Sequence, residues 1–227
     1  MRFSPLRRAA VIDLLVSLAV FVACFCALPA ISEPIKRLHG ISFVLCAAIL
    51  QFCCEGAAPL TLMLWRRESF TSYGLTRKRL ATSLLLGLAL AALYDLGCSW
   101  ARGALLWIPF GGHGVMRRAL AASPLTALLG AVMVLFSWGF TESFFGIYFA
   151  RKVHGALGHA GRGWLAPGVI AFALFNAAIH AMIGQGMAGF LTSFASGYAI
   201  AVIPAVTKNS WGGILVQTLT DAIGKLR

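Results

Sequence analysis

Six long apolar stretches, separated by short clusters of charged residues, constrain the fold of this chain more than any other feature. Each stretch reaches the roughly 20 residues that a helix needs to cross a bilayer. The stretches lie near 9–31, 41–65, 80–100, 124–150, 164–184 and 187–206. A shorter segment, 211–224, is a candidate seventh helix that ends inside the protein, since helices shielded from lipid need not cross fully. We therefore expect an all-α polytopic integral membrane protein, with six to seven transmembrane helices in one bundle and a single domain over 1–227.

The charge content excludes a soluble domain. Only 11% of the 227 residues are charged and 59% are hydrophobic, whereas soluble domains carry about a quarter charged residues. The net charge of +12 would indicate nucleic acid as the partner of a soluble protein. Here Lys and Arg stand at the ends of the apolar stretches, as in membrane proteins that follow the positive-inside rule. We expect the lipid bilayer as the surrounding partner, and no nucleic acid.

The basic residues also predict the orientation of the chain. With a cytoplasmic N-terminus, the inside holds Arg2, Arg7, Arg8, Arg66, Arg67, Arg77, Lys78, Arg79, Arg151, Lys152, Arg162 and Lys208. The outside then holds only Lys36, Arg37, Arg102, Arg117 and Arg118. We therefore expect an integral protein of a bacterial inner (plasma) membrane with its N-terminus in the cytoplasm. Residues 1–31 start like a signal peptide, but the apolar run is too long for one, which favours an uncleaved first helix.

The cysteines indicate neither disulfides nor a metal site. They lie within or at the ends of the apolar stretches, at Cys24, Cys26, Cys46, Cys53, Cys54 and Cys98. No metal-ligand spacing recurs among them. A buried free cysteine behaves as a small apolar residue, and we expect that role here.

Polar side chains inside the apolar stretches are the most informative residues, because each costs a few kcal/mol at the bilayer centre unless it meets a partner or water. They are Asp13, Gln51, Glu55, Asp95, Glu142, Asn176, His180, Gln217 and Asp221. Asp13 lies close to the basic N-terminus, where a salt bridge or an interfacial position is expected. Glu55 lies beside a glycine and before Pro59, and a structural pairing with another polar group is expected for it.

Five of these residues form a pattern. Asn176 and His180 are four apart in FNAAIHA, and Gln217 and Asp221 are four apart in VQTLTDA, so each pair projects from one helix face. Together with Glu142, preceded by Thr141, three helices supply an acid, an imidazole and hydrogen-bonding groups. Such a set can activate water and stabilise an oxyanion, or bind a metal. The same residues can also simply form hydrogen bonds between helices, each of which stabilises the bundle by about 1 kcal/mol.

The string around Glu142 resembles the first motif of the CPBP intramembrane proteases, which include the type II CAAX prenyl proteases and bacteriocin-processing proteins. That motif reads Glu-Glu-x-x-x-Arg, usually within a string such as EELLFRGYL, and the matching string here is TESFFGIYFAR. Aligned on the aromatics, Glu142 takes the second glutamate, and Phe145 and Tyr148 take the aromatic positions. Arg151 takes the trailing basic position.

Two further strings follow the order of the family motifs. FNAAIHA supplies the histidine of Phe-x-x-x-His as His180, with Asn176 in place of the Phe. NSWGGILVQTLTDA supplies the small-Trp-x-x-Ile-Leu lead of the third motif, with Gln217 in place of its His and Asp221 in its Asn/Asp position. The stretch from Trp65 to Leu75 also looks like the linker between the family's early helices. The resemblance covers roughly 65–224.

Besides Asn176 and Gln217, two positions of the first motif depart from the family pattern. Thr141 occupies the first glutamate, and Gly146 occupies the arginine. A one-residue shift would give Glu142 the first role, but Ser143 would then replace the second glutamate and the aromatics would fall out of register. The sequence therefore leaves open an active and a catalytically inactive member of the family.

The resemblance implies a fold, an activity and residue roles. The activity is hydrolysis of a peptide bond in a membrane-associated peptide or protein substrate. Glu142 would act as acid/base partner, His180 would orient the water, and Gln217 with Asp221 would serve the oxyanion or position the substrate. Asn176 and Thr141 would be secondary substrate contacts. Water activation by glutamate without metal is preferred, and a divalent metal cofactor stays open.

Two other functions remain open at this point. One is a CPBP-fold membrane binding, immunity or scaffold protein whose polar residues are only structural. The other is a small transporter, since intramembrane acids can relay protons. The spacing also predicts different depths in the membrane for Glu142 and His180. At about 1.5 Å per residue, Glu142 lies roughly 13 Å from Arg151, whereas His180 lies about 24 Å from Trp164, and both reference residues are expected at the cytoplasmic side. A kinked fifth helix, or a fourth helix that extends beyond the membrane, would reconcile the two depths.

Overall fold

The structure, a computed structural model, describes residues 4–103, 107–109, 114–158 and 163–226, with the backbone alone at 101–102, 107–109 and 221–226. Ten α-helices make up most of the described chain. They are α1 (Pro5–Arg37), α2 (Gly40–Gln51), α3 (Ala57–Trp65), α4 (Leu80–Arg102), α5 (Gly114–Ala122), α6 (Pro124–Val134), α7 (Glu142–Leu157), α8 (Pro167–His180), α9 (Gly186–Thr207) and α10 (Trp211–Gln217). The predicted all-α membrane bundle is therefore confirmed.

Five helical segments of the described chain are long and apolar enough to cross a membrane. They are Pro5–Arg37, Gly40–Trp65, Leu80–Trp100, Pro124–Leu157 and Pro167–Thr207. The count of six to seven spans is corrected to five, for two reasons. The predicted spans 164–184 and 187–206 are the two arms of one continuous segment, Pro167–Thr207. The segment 211–224 forms the short helix expected of it, α10 with the π turn Thr218–Ile223, and this helix is too short to be a span.

The fifth segment folds back on itself at a break between its arms. Ile183 and Gly184 leave helical geometry there, and Gly184 and Gly186 have φ values of 87° and 61°, which glycine adopts without strain. The arms α8 and α9 then pack antiparallel. Nδ2 of Asn176 donates to the carbonyl oxygen of Ser193 at 2.9 Å, and the Tyr198 hydroxyl donates to that of Trp164 at 3.0 Å.

Four π-helical turns interrupt the helices of the described ranges, and the third of them contains the break at Ile183 and Gly184. They are Phe52–Gly56, Leu135–Thr141, Ala181–Gln185 and Thr218–Ile223. A π turn holds one residue more than an α turn and frees backbone groups from the i→i−4 pattern, and such turns occur often at functional sites. Hydroxyl side chains donate hydrogen bonds to carbonyl groups in and beside these turns. Thr141 Oγ1 donates to the Phe136 carbonyl at 3.0 Å, and Ser143 Oγ donates to the Gly139 carbonyl at 2.6 Å.

Helix α10 is short and enclosed by neighbouring helices, with glycine at the points of closest approach. A Cβ on Gly212 would overlap the Ser83 carbonyl of α4, and a Cβ on Gly213 would lie 2.5 Å from the Ile200 carbonyl of α9. The start of α10 is fixed by Asn209, which is fully buried. Its amide donates to the carbonyls of Thr76 and Lys78, and its Oδ1 accepts from Trp211 N at 3.0 Å.

Seven helix ends lie together at one end of the bundle: the first turns of α1, α4, α8 and α10 and the last turns of α3, α7 and α9. We call this end the N-terminal face. Long-range hydrogen bonds join these turns, for example from Arg66 to Asp13 and from Asn209 to Thr76. At the opposite end, Arg118 of α5 donates to the carbonyls of Lys36 and Leu38 at 2.8 Å each and lies over the Phe43 ring. A cation therefore caps the carboxyl end of α1, where the helix dipole favours it.

A two-stranded antiparallel ladder adds a small non-helical element near the chain end. Strand β1 (Trp107–Pro109) pairs with β2 (Gly224–Leu226), with Ile108 opposite Lys225. The residues after α10 are thereby tied to the connection between α4 and α5.

Candidate functional site

Glu142 begins α7 directly after the π turn Leu135–Thr141. The side chain of Glu142 is half-buried, and Thr141 beside it is buried with its hydroxyl donated to Phe136. Thr141 was predicted as a substrate contact, and its hydroxyl instead binds a carbonyl of its own helix. The rest of α7 from Ser143 to Ala150 is buried, so this helix is the centre of the bundle and holds Glu142 in place.

Three of the π turns pack in one layer. A Cβ on Gly56, in the first turn, would lie 2.5 Å from Thr141 Cγ2, and a Cβ on Gly139 would lie 2.8 Å from Thr218 Oγ1. An acid stands in or directly after each of these turns: Glu55, Glu142 and Asp221. The Oε2 atom of Glu55 is buried. The structural pairing predicted for Glu55 stays a prediction, and its place in this layer puts it on an element next to that of Glu142.

Helices α7 and α8 run antiparallel in a register that two glycines define. A Cβ on Gly168 would overlap the Ala150 carbonyl, and a Cβ on Gly146 would overlap the Phe172 ring. One further turn in the same register brings Glu142 level with Asn176. His180 then lies one turn farther along, about 6 Å at 1.5 Å per residue. The depths of Glu142 and His180 are therefore closer than the sequence spacing indicated, because α7 extends beyond the start of α8.

The predicted pair on α8 is present, and each member has a hydrogen bond to the hairpin. Asn176 bonds to the Ser193 carbonyl, and Nδ1 of His180 lies 3.2 Å from Oε1 of Gln185. His180 is the last residue of α8, so the imidazole stands at the tip of the hairpin, half-buried beside exposed residues 182–188. Its contact with Gln185 fixes the ring orientation from within the π turn that follows.

Gln217 ends α10 and is buried. Its amide makes no hydrogen bond with another described residue, so it can form hydrogen bonds with a ligand. The predicted partner Asp221 lies in the π turn Thr218–Ile223, and its side chain is outside the described residues. Because this turn packs on Gly139, three residues before Glu142, the end of α10 and the start of α7 are neighbouring elements.

We call Glu142, Asn176, His180 and Gln217 the interior polar set. It combines a carboxylate, an imidazole and two amides, which are the groups needed to deprotonate water and bind an oxyanion. Within the described ranges, no group of three or more His, Cys, Asp or Glu side chains is arranged to hold a metal ion. The described cysteines are all free.

A second polar group, which we call the ionic cluster, lies at the N-terminal face. It consists of Asp13, Arg66, Glu68, Tyr73 and Lys152. Lys152 Nζ donates to Asp13 Oδ2 at 2.8 Å and to Glu68 Oε1 at 2.8 Å, and Arg66 donates to Asp13 Oδ1 at 3.0 Å. The Tyr73 hydroxyl donates to Glu68. Burial, and next the hydrogen bond to Glu68, raise the pKa of Tyr73.

The ionic cluster confirms the predicted salt bridge of Asp13 and extends it. Lys152 was counted only as a charge of the inner side, yet it is 5% exposed and joins two acids. Its partners are 139 and 84 residues away in the chain, so no local spacing could identify them. The signal available was an acid at the start of one span opposite basic residues at the ends of two others.

No protein-family model, no curated protein sequence and no solved structure matches this chain. The resemblance to the CPBP proteases therefore stays a prediction that rests on the quoted motifs.

Proposed function

We propose that this protein is a CPBP-type intramembrane endopeptidase that hydrolyses a peptide bond of a membrane-associated substrate with water activated by Glu142 and His180. The observation that carries the proposal is the register of α7 and α8, in which Glu142 and His180 are offset by one turn along the axes of neighbouring antiparallel helices. With that axial offset, a carboxylate and an imidazole that both turn into the space between the helices can share one water molecule. Gln217, with an amide that binds no described residue, supports the oxyanion role.

The chemistry assigns a role to each group. The Glu142 carboxylate takes a proton from water while His180 orients it, and the water oxygen bonds to the scissile carbonyl carbon. The charge that develops on the carbonyl oxygen is stabilised by the Gln217 amide. When the carbon–nitrogen bond breaks, protonated Glu142 returns its proton to the leaving amine. The products are a carboxylic acid and an amine, which exchange a proton to become a carboxylate and an ammonium group, with no change of oxidation state.

The same proposal includes the membrane and the orientation. The N-terminal face carries the basic residues Arg8, Arg67, Arg77, Arg79 and Lys208 at helix ends or in adjacent turns. By the positive-inside rule, this face is cytoplasmic. A bacterial inner membrane, a bilayer partner and a peptide or protein substrate within it are the setting that fits this arrangement.

A second candidate, a catalytically inactive binding or scaffold protein, is favoured by two specific contacts. Thr141, in place of a glutamate, donates its hydroxyl to Phe136 of its own helix. The ring of Phe172 fills the space beside Gly146, where the family motif has an arginine. Both altered positions now serve packing, which is what a member that had lost catalysis would retain.

Cleavage of a membrane-anchored reporter in proteoliposomes distinguishes the two candidates. We expect the wild type to cleave and Glu142→Gln to lose at least about 100-fold of the rate, as removal of a general base does. His180→Ala should lose a similar factor. Asp95→Asn is the matched control, since it also removes an acid from a span, in α4, and should leave the rate within about twofold.

Three outcomes decide the matter. If wild type cleaves and only the Glu142 and His180 variants fail, the protease proposal holds. If wild type cleaves and Glu142→Gln cleaves equally well, the assigned roles are wrong. If wild type cleaves none of a panel of anchored reporters, while all variants stay folded in detergent, the binding or scaffold candidate takes its place.

A further inference from the structure

A cavity of about 230 Å³ opens near the N-terminal face, between α7, the end of α9 and the turn before α4. We call it the basic cavity. Its polar lining comes from Thr71, Ser72, Tyr73, Arg151, His154 and Lys208. Arg151 and His154 are three residues apart on α7 and therefore share one side of the helix. The interior polar set contributes none of these residues, so the basic cavity is a separate site.

The charge of the basic cavity is positive. Arg151 and Lys208 are cationic, and none of the described lining residues is acidic. The nearest acid of the ionic cluster, Glu68, already accepts from Lys152 and from the Tyr73 hydroxyl. The cavity therefore has a cationic lining with no acid of its own to neutralise it.

The donors of the cavity are held in place. The Arg151 guanidinium lies over the Tyr73 ring, 5.2 Å from its centroid, and forms no ion pair with a described acid. Nε2 of His154 is buried and has no hydrogen-bond partner among the described residues. The wall that carries Tyr73 is fixed from behind, since Ser210 Oγ donates to the Tyr73 carbonyl at 2.5 Å and Ser210 N donates to the Gly74 carbonyl at 2.9 Å.

We propose that the basic cavity binds a phosphate group, as the free anion, as a soluble phosphate ester or as the headgroup of a phospholipid. Arginine is suited to this ligand because its planar donors match two phosphate oxygens at once. His154 adds a buried donor or acceptor, and Lys208 adds charge at the rim. The volume holds one headgroup-sized ligand and is below the range typical of larger organic ligands.

The experiment measures binding by purified full-length protein in neutral detergent with two probes, inorganic phosphate and a short-chain phosphatidic acid. The readout is the dissociation constant from isothermal titration, together with the rise in Tm. We expect Arg151→Gln and His154→Gln each to weaken binding at least tenfold. Arg8→Gln is the matched control, because it removes an exposed cation from the same face outside the cavity, and it should leave the constant within about twofold.

The two probes distinguish the sources of the ligand. Binding of both, lost in the cavity variants, means that the phosphate group alone is recognised. Binding of phosphatidic acid alone, lost in the same variants, means that the cavity takes a lipid headgroup. The proposal is overturned if neither probe binds, or if Arg8→Gln weakens binding as much as Arg151→Gln. None of these outcomes depends on peptide cleavage.

Discussion

The ionic cluster and the interior polar set place acids among helices in opposite ways. In the cluster, Asp13 is 1% exposed and both of its oxygens are bound by cations, Arg66 and Lys152. In the interior set, Glu142 follows a π turn, and Asn176 and His180 bond to groups of their own hairpin. The acid of the cluster is thus fully buried, whereas Glu142 is half-buried. Distorted backbone beside the charge is found at the interior set, and this difference separates a supporting acid from a candidate catalytic one.

The largest expected effect tests the supporting role of the ionic cluster. Lys152→Met leaves the buried Asp13 with Arg66 as its one cation and leaves the half-buried Glu68 without a cation, and breaking a buried pair such as Lys152–Asp13 costs about 3–5 kcal/mol. We expect a loss of that size in the free energy of unfolding, measured by denaturant titration in mixed micelles. The same substitution should leave the fold of the surviving native fraction unchanged by far-UV circular dichroism.

The matched control for this variant is Lys36→Met. Lys36 also pairs with an acid, Glu33 at 2.6 Å, but both side chains are more than 60% exposed. Such a pair contributes at most about 1 kcal/mol. Equal losses in Lys152→Met and Lys36→Met would remove the distinction between a buried cluster and an ordinary surface pair.

A smaller effect tests the close packing of Gly146 in α7 against the Phe172 ring of α8. Gly146→Ala would force the new methyl group against Phe172, and overpacking of this kind costs about 1–3 kcal/mol. We expect a loss in unfolding free energy of that size, and recovery of most of it when Phe172→Leu is added. The same titration measures both.

Gly97→Ala serves as the control for this pair. Gly97 lies inside α4 with open space where a Cβ would stand, so alanine should stabilise the protein slightly, by up to about 1 kcal/mol from helix propensity. A Gly146→Ala variant as stable as wild type would show that the space beside Gly146 can accept a side chain after all.

The smallest effect concerns Tyr73 in the ionic cluster. Its pKa is raised by burial and by the hydrogen bond donated to Glu68, so the neutral phenol is the form that the folded state prefers. Its contribution to stability is therefore complete below the unfolded pKa of about 10 and is lost as the pH rises towards the folded pKa. Wild type and Tyr73→Phe should show the same phenolate absorbance between about pH 9 and pH 11. An extra phenolate in wild type would mean that the cluster is open to solvent.

The class of fold could be predicted from the sequence, because apolar stretches of this length have no other stable setting. The number of spans could not: the break at Ile183–Gly186 falls between the predicted stretches 164–184 and 187–206, but that its two arms pack as a hairpin within one segment depends on tertiary packing rather than on hydropathy. A salt bridge of Asp13 could be predicted, but its partners could not, because Arg66 and Lys152 come from distant parts of the chain. Their meeting is a property of the tertiary packing.

The candidate site was predictable in its residues but not in its backbone. Helical spacing was enough to place Asn176 and His180 on one face, and both lie on α8 as expected. The π turns before Glu142 and after Gln217 have no signature in residue type. They arise where Gly56, Gly139 and their neighbours let helices approach closely, which local sequence does not reveal.

The length of α8 has a consequence for the surrounding lipid. Its 14 residues reach only about 21 Å, against a hydrocarbon core of roughly 30 Å. Its antiparallel partner α9 has 22 residues and reaches about 33 Å, so the hairpin tip extends beyond the end of α8. The exposed residues 182–188 then lie near the far edge of the hydrocarbon core. Water at that edge is the supply for His180, from the side of the membrane opposite the N-terminal face.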